Sequence, residues 1–143
     1  MLGVDVGARR VGLAISDVSG TLARPLATVK VTDAADAVDR VAQAIATLAA
    51  DEDGLDAIVV GLPKRLDGSP TTATPRVQAF IDALRGRTTV RIVTEGEQLS
   101  SREAESRLSI SERDWRKRKE KLDAAAAAII LQDYLDRHKG HKG

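Results

Sequence analysis

Asp5 sits in the stretch GVDVGARRVGLAISD, residues 3–17, inside an apolar strand pattern and with only small neighbours on its own face. A carboxylate in such a setting is costly unless something pairs with it or binds it. A second acid, Asp123, opens the alanine-rich stretch KLDAAAAAII at 121–130. A third, Glu97, follows the last apolar strand pattern, in TEGEQLSS at 94–101. Catalytic groups collect at such positions, beyond the carboxyl ends of strands in parallel α/β sheets. Three carboxylates from three distant segments offer hard oxygen ligands to Mg²⁺ or Mn²⁺, ions that leave positions open for phosphate oxygens and water. Two such ions, about 3.5–4 Å apart, can activate water and stabilise the leaving oxygen of a phosphodiester. Each acid also has a plainer use. Asp5 can bond the amides of the GARR turn, Asp123 can cap a helix or complement its dipole, and Glu97 can be a solvated loop residue.

The elements that must position these acids are legible as patterns. Leu2, Val4 and Val6 alternate with Gly3, Asp5 and Gly7; Val11, Leu13 and Ile15 alternate with Gly12, Ala14 and Ser16. Both have strand period, and GARR joins them as a hairpin. One face of this hairpin carries the large side chains. The other is bare except for Asp5, so something must approach it closely. The alanines after Asp123 make the final helix, expected over about 122–136, the candidate, which would bring Asp123 near Asp5. Paired like charges raise a pKa or recruit a cation. PLATVKV at 25–31 reads as a third strand, and residues 33–50 show helical spacing at Val38, Val41, Ile45 and Leu48. AIVVGL at 57–62 has the continuous apolar run of a strand buried on both faces. A helix is expected from Pro75 to Leu84, a strand at 89–94, and a further helix opening at Ser100 or Ser101, where Ser100 and Glu103 fit a capping box. The order implies an α/β fold: a mixed five-stranded sheet, three antiparallel strands then two parallel, with helices on both faces.

At 143 residues the chain is expected to form one domain over 1–137, followed by a flexible tail at 138–143. Apolar residues make up 43% and charged residues 30%, the balance of an ordinary globular protein. There is no Cys, which excludes disulfides and thiolate chemistry. His138 and His141 both lie in the terminal HKGHKG, a poor place for a general base. No signal peptide pattern opens the chain and no apolar run is long enough for a bilayer, so a cytoplasmic, non-membrane protein is expected. The net charge is only +1 but uneven: residues 31–57 hold seven acids against Arg40, while RDWRKRKEK at 113–121 holds six bases against Asp114 and Glu120. Such asymmetry suits a polyanion at one end of the molecule; a solvated charged segment would look the same.

Four blocks carry a resemblance to the YqgF/RuvX family, small nucleases with an RNase H-like fold. They are GVDVGARRVGLAISD with ARPL, IVVGLPKRLDGSPTTATPRVQAF, GEQLSSREAE and KEKLDAAAAAIILQDYL, in order and at matching separations over nearly the whole chain. The resemblance implies an RNase H-like fold and a divalent metal, with the family's three acids falling on Asp5, Glu97 and Asp123. There are two departures. Gly96 and Gln98 stand where the family usually has Asp and Arg, and Lys64 and Arg65 stand where it commonly has Leu-Asn.

The expected activity is therefore metal-dependent cleavage of a phosphodiester, with Mg²⁺ or Mn²⁺ and two ions once substrate is bound. The family is linked to 5′ maturation of precursor 16S ribosomal RNA and to cutting of four-way DNA junctions; the first is preferred. Arg9, Arg10, Lys64 and Arg65 are candidate contacts to the nucleic acid, as are Arg116, Lys117, Arg118, Lys119 and Lys121, which lead into Asp123. Trp115 can stack on a base or pin its segment to the core. Junction cutting would favour a two-fold homodimer, for which no dimer face is obvious. Two other classes remain open at this point. A Gly-rich D-x-G hairpin also cradles phosphate in actin-like ATPases, though those close two such domains over the nucleotide. A catalytically silent RNA-binding assembly factor is the other, and Gly96 and Gln98 keep it in view.

Overall fold

A computed structural model describes residues 1–52, 54–64, 67–97 and 115–138, the side chains of Glu97 and of residues 115–122 excepted. The expected hairpin forms from β1 (Leu2–Val6) and β2 (Arg10–Ser16), and β3 (Ala23–Lys30) extends it. Helix α1 (Ala34–Ala49) leads to β4 (Ala57–Pro63), α2 (Thr74–Arg85) to β5 (Arg91–Glu97), and α3 (Trp115–His138) closes the described chain. The sheet order is β3-β2-β1-β4-β5. β1 pairs antiparallel with β2 and parallel with β4, β2 pairs antiparallel with β3, and β4 pairs parallel with β5. This is the mixed sheet that the element order implied.

Strand alternation divides the side chains between two layers. Leu2, Val4, Val11, Leu13, Ile58 and Val60 face α1 and α2, where they meet Val41, Ile45, Val77, Ile81 and Leu84. Burying each such side chain stabilises by about 1.5–3 kcal/mol. Ala14 and Val59 face the other way and meet Ala127, Ile130, Leu131, Tyr134 and Leu135 of α3. Asp33 caps α1 by accepting from the Asp36 amide at 2.8 Å. Pro25 lies on β3, the edge strand, where a missing N–H donor is tolerated. Among the described residues no helix is long and apolar enough to cross a membrane.

The structure corrects three boundaries. Helix α3 begins at Trp115 rather than near Leu122, and it runs to His138 rather than ending near Asp136. The charged run before Asp123 has no apolar stripe, but Arg, Lys and Glu are good helix formers and extend the helix backwards. β5 reaches Glu97 rather than ending at 94, because its ladder with β4 continues through Pro63↔Glu97. The helix expected at Ser100 or Ser101 lies outside the described residues.

Candidate active site

The bare hairpin face is where α3 lands. A Cβ added to Gly3 would stand 2.8 Å from both the Ala127 carbonyl oxygen and the Leu131 Cβ. One added to Gly12 would stand 1.9 Å from the Asp123 carbonyl oxygen. Glycine is therefore required at Gly12 by backbone against backbone. Gly12 is also the cross-strand partner of Asp5, so the Asp123 backbone rests on the strand next to the one that carries Asp5. Asp123 lies more than two turns inside α3, so it is neither an N-cap nor a first-turn acid. Its Oδ2 accepts a charge-assisted hydrogen bond from Arg10 Nε at 2.7 Å. Arg10 is held in turn by the β1–β2 turn, where the Gly7 amide donates to the Arg10 carbonyl at 2.9 Å.

Glu97 takes the last rung of β5, opposite Pro63. Lys64 follows Pro63 and is exposed, and its Cδ lies 4.0 Å from where a Gly96 Cβ would be. Thus two of the departures from the family pattern, Lys64 and Gly96, meet in space. The β4–α2 loop that carries Lys64 is tied down by the Thr74 hydroxyl, which donates to the Pro63 carbonyl at 2.7 Å. The ends of β1, β4 and β5, the β1–β2 turn and Asp123 therefore share one end of the sheet.

Other expected contacts fall as follows. Arg9 is exposed in the turn, and its carbonyl accepts from the Val31 amide at 2.9 Å. Trp115, Arg116, Lys117, Arg118, Lys119 and Lys121 occupy the first two turns of α3, directly before Asp123; their side chains lie outside the described residues. Arg65 and Gln98 lie outside them altogether. Among the described residues no group of three or more Asp, Glu, His or Cys could hold a metal, and the Glu97 side chain is not among those described. Asp5 and Asp123 nevertheless supply the donor chemistry of a hard divalent cation, and a guanidinium already neutralises Asp123.

Sequence reasoning missed Glu95. It is 4% exposed, on β5, and level with Gly61. Gly61 directly follows Val60, the partner of Val4 on β1, and Asp5 directly follows Val4, so Glu95 lies at the same end of the sheet as Asp5. Burial pushes the Glu95 carboxyl above the usual glutamate range; the nearby Arg137 cation opposes that shift. Arg137 Nε lies 3.3 Å from Glu95 Oε2. The signal was available: Val93 faces α3, and Glu95, two residues on, shares its face. Acid–base pairs thus tie both ends of the α3 segment from Asp123 to Arg137. Between them the Gln132 side chain accepts from the Ala23 amide at 2.8 Å and donates to the Thr21 carbonyl at 3.0 Å.

A testable consequence concerns Arg137→Ala. The variant strands a buried charge, but Arg137 is 67% exposed, so the pair is discounted for solvent and the loss is about 1 kcal/mol near neutral pH. A raised carboxyl contributes stability that is present below its unfolded value of 4.5 and lost as pH rises through its folded value. Protonation removes the stranded charge, so the gap between Arg137→Ala and the parent narrows towards acid. Urea unfolding of both proteins at about pH 4.5 and about pH 8 checks the sign.

Residues 1–137 match the family model of RuvX, described as a Holliday junction resolvase. The chain belongs to the RuvX family. A relative from Desulforudis audaxviator is 34% identical over 139 residues, covering 97% of this chain and 95% of its own. One from Chloroflexus aggregans is 39% identical over 136 residues, covering 95% and 92%. Both carry the name "Putative pre-16S rRNA nuclease". Among solved structures, RuvC of Thermus thermophilus in complex with a Holliday junction superposes with a TM-score of 0.55 at 19% identity, over 97% of this chain and 94% of that one. The Fowlpox virus resolvase, also bound to junction DNA, gives 0.53 at 16%, over 96% and 98%. At such identities these two likenesses speak for the fold alone, the RNase H-like architecture expected from the sequence.

Proposed function

We propose that this chain is a divalent-metal-dependent endonuclease acting in the 5′ maturation of precursor 16S ribosomal RNA. Its nuclease class follows from the family, and the RNA role is favoured by the names its relatives carry. The observation that carries the site assignment is the seating of Asp123 on Gly12, beside Asp5. Asp5 and Asp123, with Glu97 from the end of β5, would hold the metal. The donor set is all carboxylate, which fits Mg²⁺ or Mn²⁺. When bound, such ions lower the pKa of water and stabilise a leaving oxygen.

The chain's own residues do the rest. Asp5, on a strand fixed from both sides, is the rigid ligand. Asp123 approaches it on a helix anchored by Gly3, Gly12 and two ion pairs. Arg9, Arg10 and Lys64 surround this end of the sheet and would take phosphate oxygens, with Arg65 as the next basic residue in the Lys64 loop. The basic run from Arg116 to Lys121 would extend a backbone-binding surface away from the acids, with Trp115 at its far end. Contacts of this kind give affinity without sequence choice and weaken steeply with salt. Hydrolysis adds the oxygen of water to phosphorus, breaks one phosphorus–oxygen ester bond, and leaves a phosphomonoester and a hydroxyl. Such work belongs in the cytoplasm, beside ribosome assembly.

The second reading, resolution of four-way DNA junctions, is favoured by the description of the family model, and would call for a homodimer. One experiment separates the readings. The protein is incubated with Mg²⁺ or Mn²⁺ and either an end-labelled precursor of the small-subunit RNA 5′ region or a synthetic four-way junction. Metal-dependent, chelator-sensitive cutting of the RNA in preference to the junction is the expected result. Preference for the junction moves the assignment to the second reading. RNA binding without cleavage in either metal leaves an assembly factor.

A further inference from the structure

Arg10 enters the site through both its backbone and its side chain. Its carbonyl closes the β1–β2 turn, which fixes where the side chain starts. Its Nε then holds Asp123 Oδ2 at 2.7 Å, with the two side chains only 32% and 27% exposed. Solvent therefore screens this pair less than a fully exposed one. The contact engages Nε, and a guanidinium carries four further N–H donors in a fixed fork.

We propose that Arg10 is the resident counter-cation of Asp123: it competes with the metal for that carboxylate, and on release its fork takes a substrate phosphate. The inference rests on the metal-dependent reading above. A divalent ion bound to Asp123 meets a guanidinium already within hydrogen-bond distance of the same carboxylate, and two cations at such range repel strongly. A metal that takes the oxygen held by Arg10 displaces it, and a metal on the other oxygen is still weakened by its charge. A phosphodiester offers Arg10 the partner its geometry suits, because arginine forks match phosphate oxygens in pairs. Metal and nucleic acid then help each other to bind: the metal frees Arg10 for the phosphate, and the phosphate removes Arg10 from the metal's ligand. By linkage the two effects are equal. Without metal or substrate, the same contact keeps Asp123 neutralised beside Asp5 and holds α3 in register on Gly12.

The test reads metal binding rather than cleavage. Free Mn²⁺ is followed by electron paramagnetic resonance while the whole chain is titrated, for the parent, Arg10→Gln, Arg10→Lys and Asp123→Asn. Arg10→Gln is expected to bind Mn²⁺ about three- to tenfold more tightly than the parent, the range that loss of a half-sheltered ion pair provides. Arg10→Lys, which keeps the charge, stays near the parent. A nuclease-resistant phosphorothioate DNA oligonucleotide tightens Mn²⁺ binding by the parent and does so less for Arg10→Gln. Mn²⁺ binding by Arg10→Gln no tighter than the parent, while Asp123→Asn abolishes it, overturns this inference and leaves the metal reading standing. Binding unchanged in Asp123→Asn, or absent from the parent, overturns both. If Arg10→Gln does not fold, the oligonucleotide decides on the parent alone: no effect on Mn²⁺ affinity overturns the inference.

Discussion

Asp5→Asn cleaves the preferred substrate about a hundredfold to a thousandfold more slowly than the parent in Mn²⁺, while its melting temperature stays within a few degrees. The size of the loss is that of removing one fixed charge from a site that works by electrostatic stabilisation. Asn keeps the shape of Asp and its place opposite Gly12, but it loses the charge that makes a carboxylate a ligand for a hard cation. The strand is held by its ladders to β2 and β4, which do not involve the Asp5 side chain. Single-turnover rates with enzyme in excess measure the effect on the chemical step. Cutting as fast as the parent would assign the activity to another site.

Gly12→Ala produces the second large effect, on stability and activity together. The added Cβ would lie 1.9 Å from the Asp123 carbonyl oxygen, 2.4 Å from its carbon and 3.0 Å from the Ala124 nitrogen. All three are backbone atoms, so no rotamer change can relieve the overlap, and α3 must lift from the sheet. The cost is about 3 kcal/mol, the upper end for overpacking. At roughly 2–4 °C per kcal/mol for a chain of this size, melting falls by roughly 6–12 °C. Lifting α3 also carries Asp123 away from Asp5, and a misplacement of about 1 Å can cost a hundredfold in rate. Cleavage is therefore lost even where the variant is still folded. Gly86→Ala is the control: Gly86 has a φ of −77°, and the nearest atom to an added Cβ is 3.5 Å away. It stays within about 0.5 kcal/mol of the parent, or gains slightly from a stiffer unfolded chain. Thermal unfolding and single-turnover cleavage of both variants measure the contrast.

The hairpin shows why so much was legible in the sequence. Gly3, Asp5, Gly7, Gly12 and Ala14 interrupt the large residues with period two, which is the signature of one packed and one bare face. The run of alanines after Asp123 named the element able to approach that closely, and α3 does so at Gly3 and Gly12. What the pattern missed were features that hydrophobic spacing does not encode. Residues 115–121 are helical through propensity and continuity, with no apolar stripe to announce them. β5 runs on through the polar residues Glu95 and Glu97 because backbone pairing with β4 continues, whatever the side chains. Glu95 lies just past the apolar pattern that ends at 94, and the docking of α3 against β5 buries it beside Arg137. The Arg10–Asp123 pair joins residues 113 positions apart, and periodicity alone could not assign it. The proximity of Lys64 to Gly96 likewise depends on two strand ends being neighbours.

The proposed chemistry depends on Asp5, Glu97 and Asp123 sharing a divalent cation at one end of the sheet. The most direct measurement is an anomalous-scattering map from crystals of the protein grown or soaked with Mn²⁺. The expected result is a peak bonded to carboxylate oxygens of Asp5 and Asp123, at about 2.1 Å, with Glu97 completing the set directly or through water. A peak bonded elsewhere, or none at Mn²⁺ concentrations that support cleavage, would contradict it.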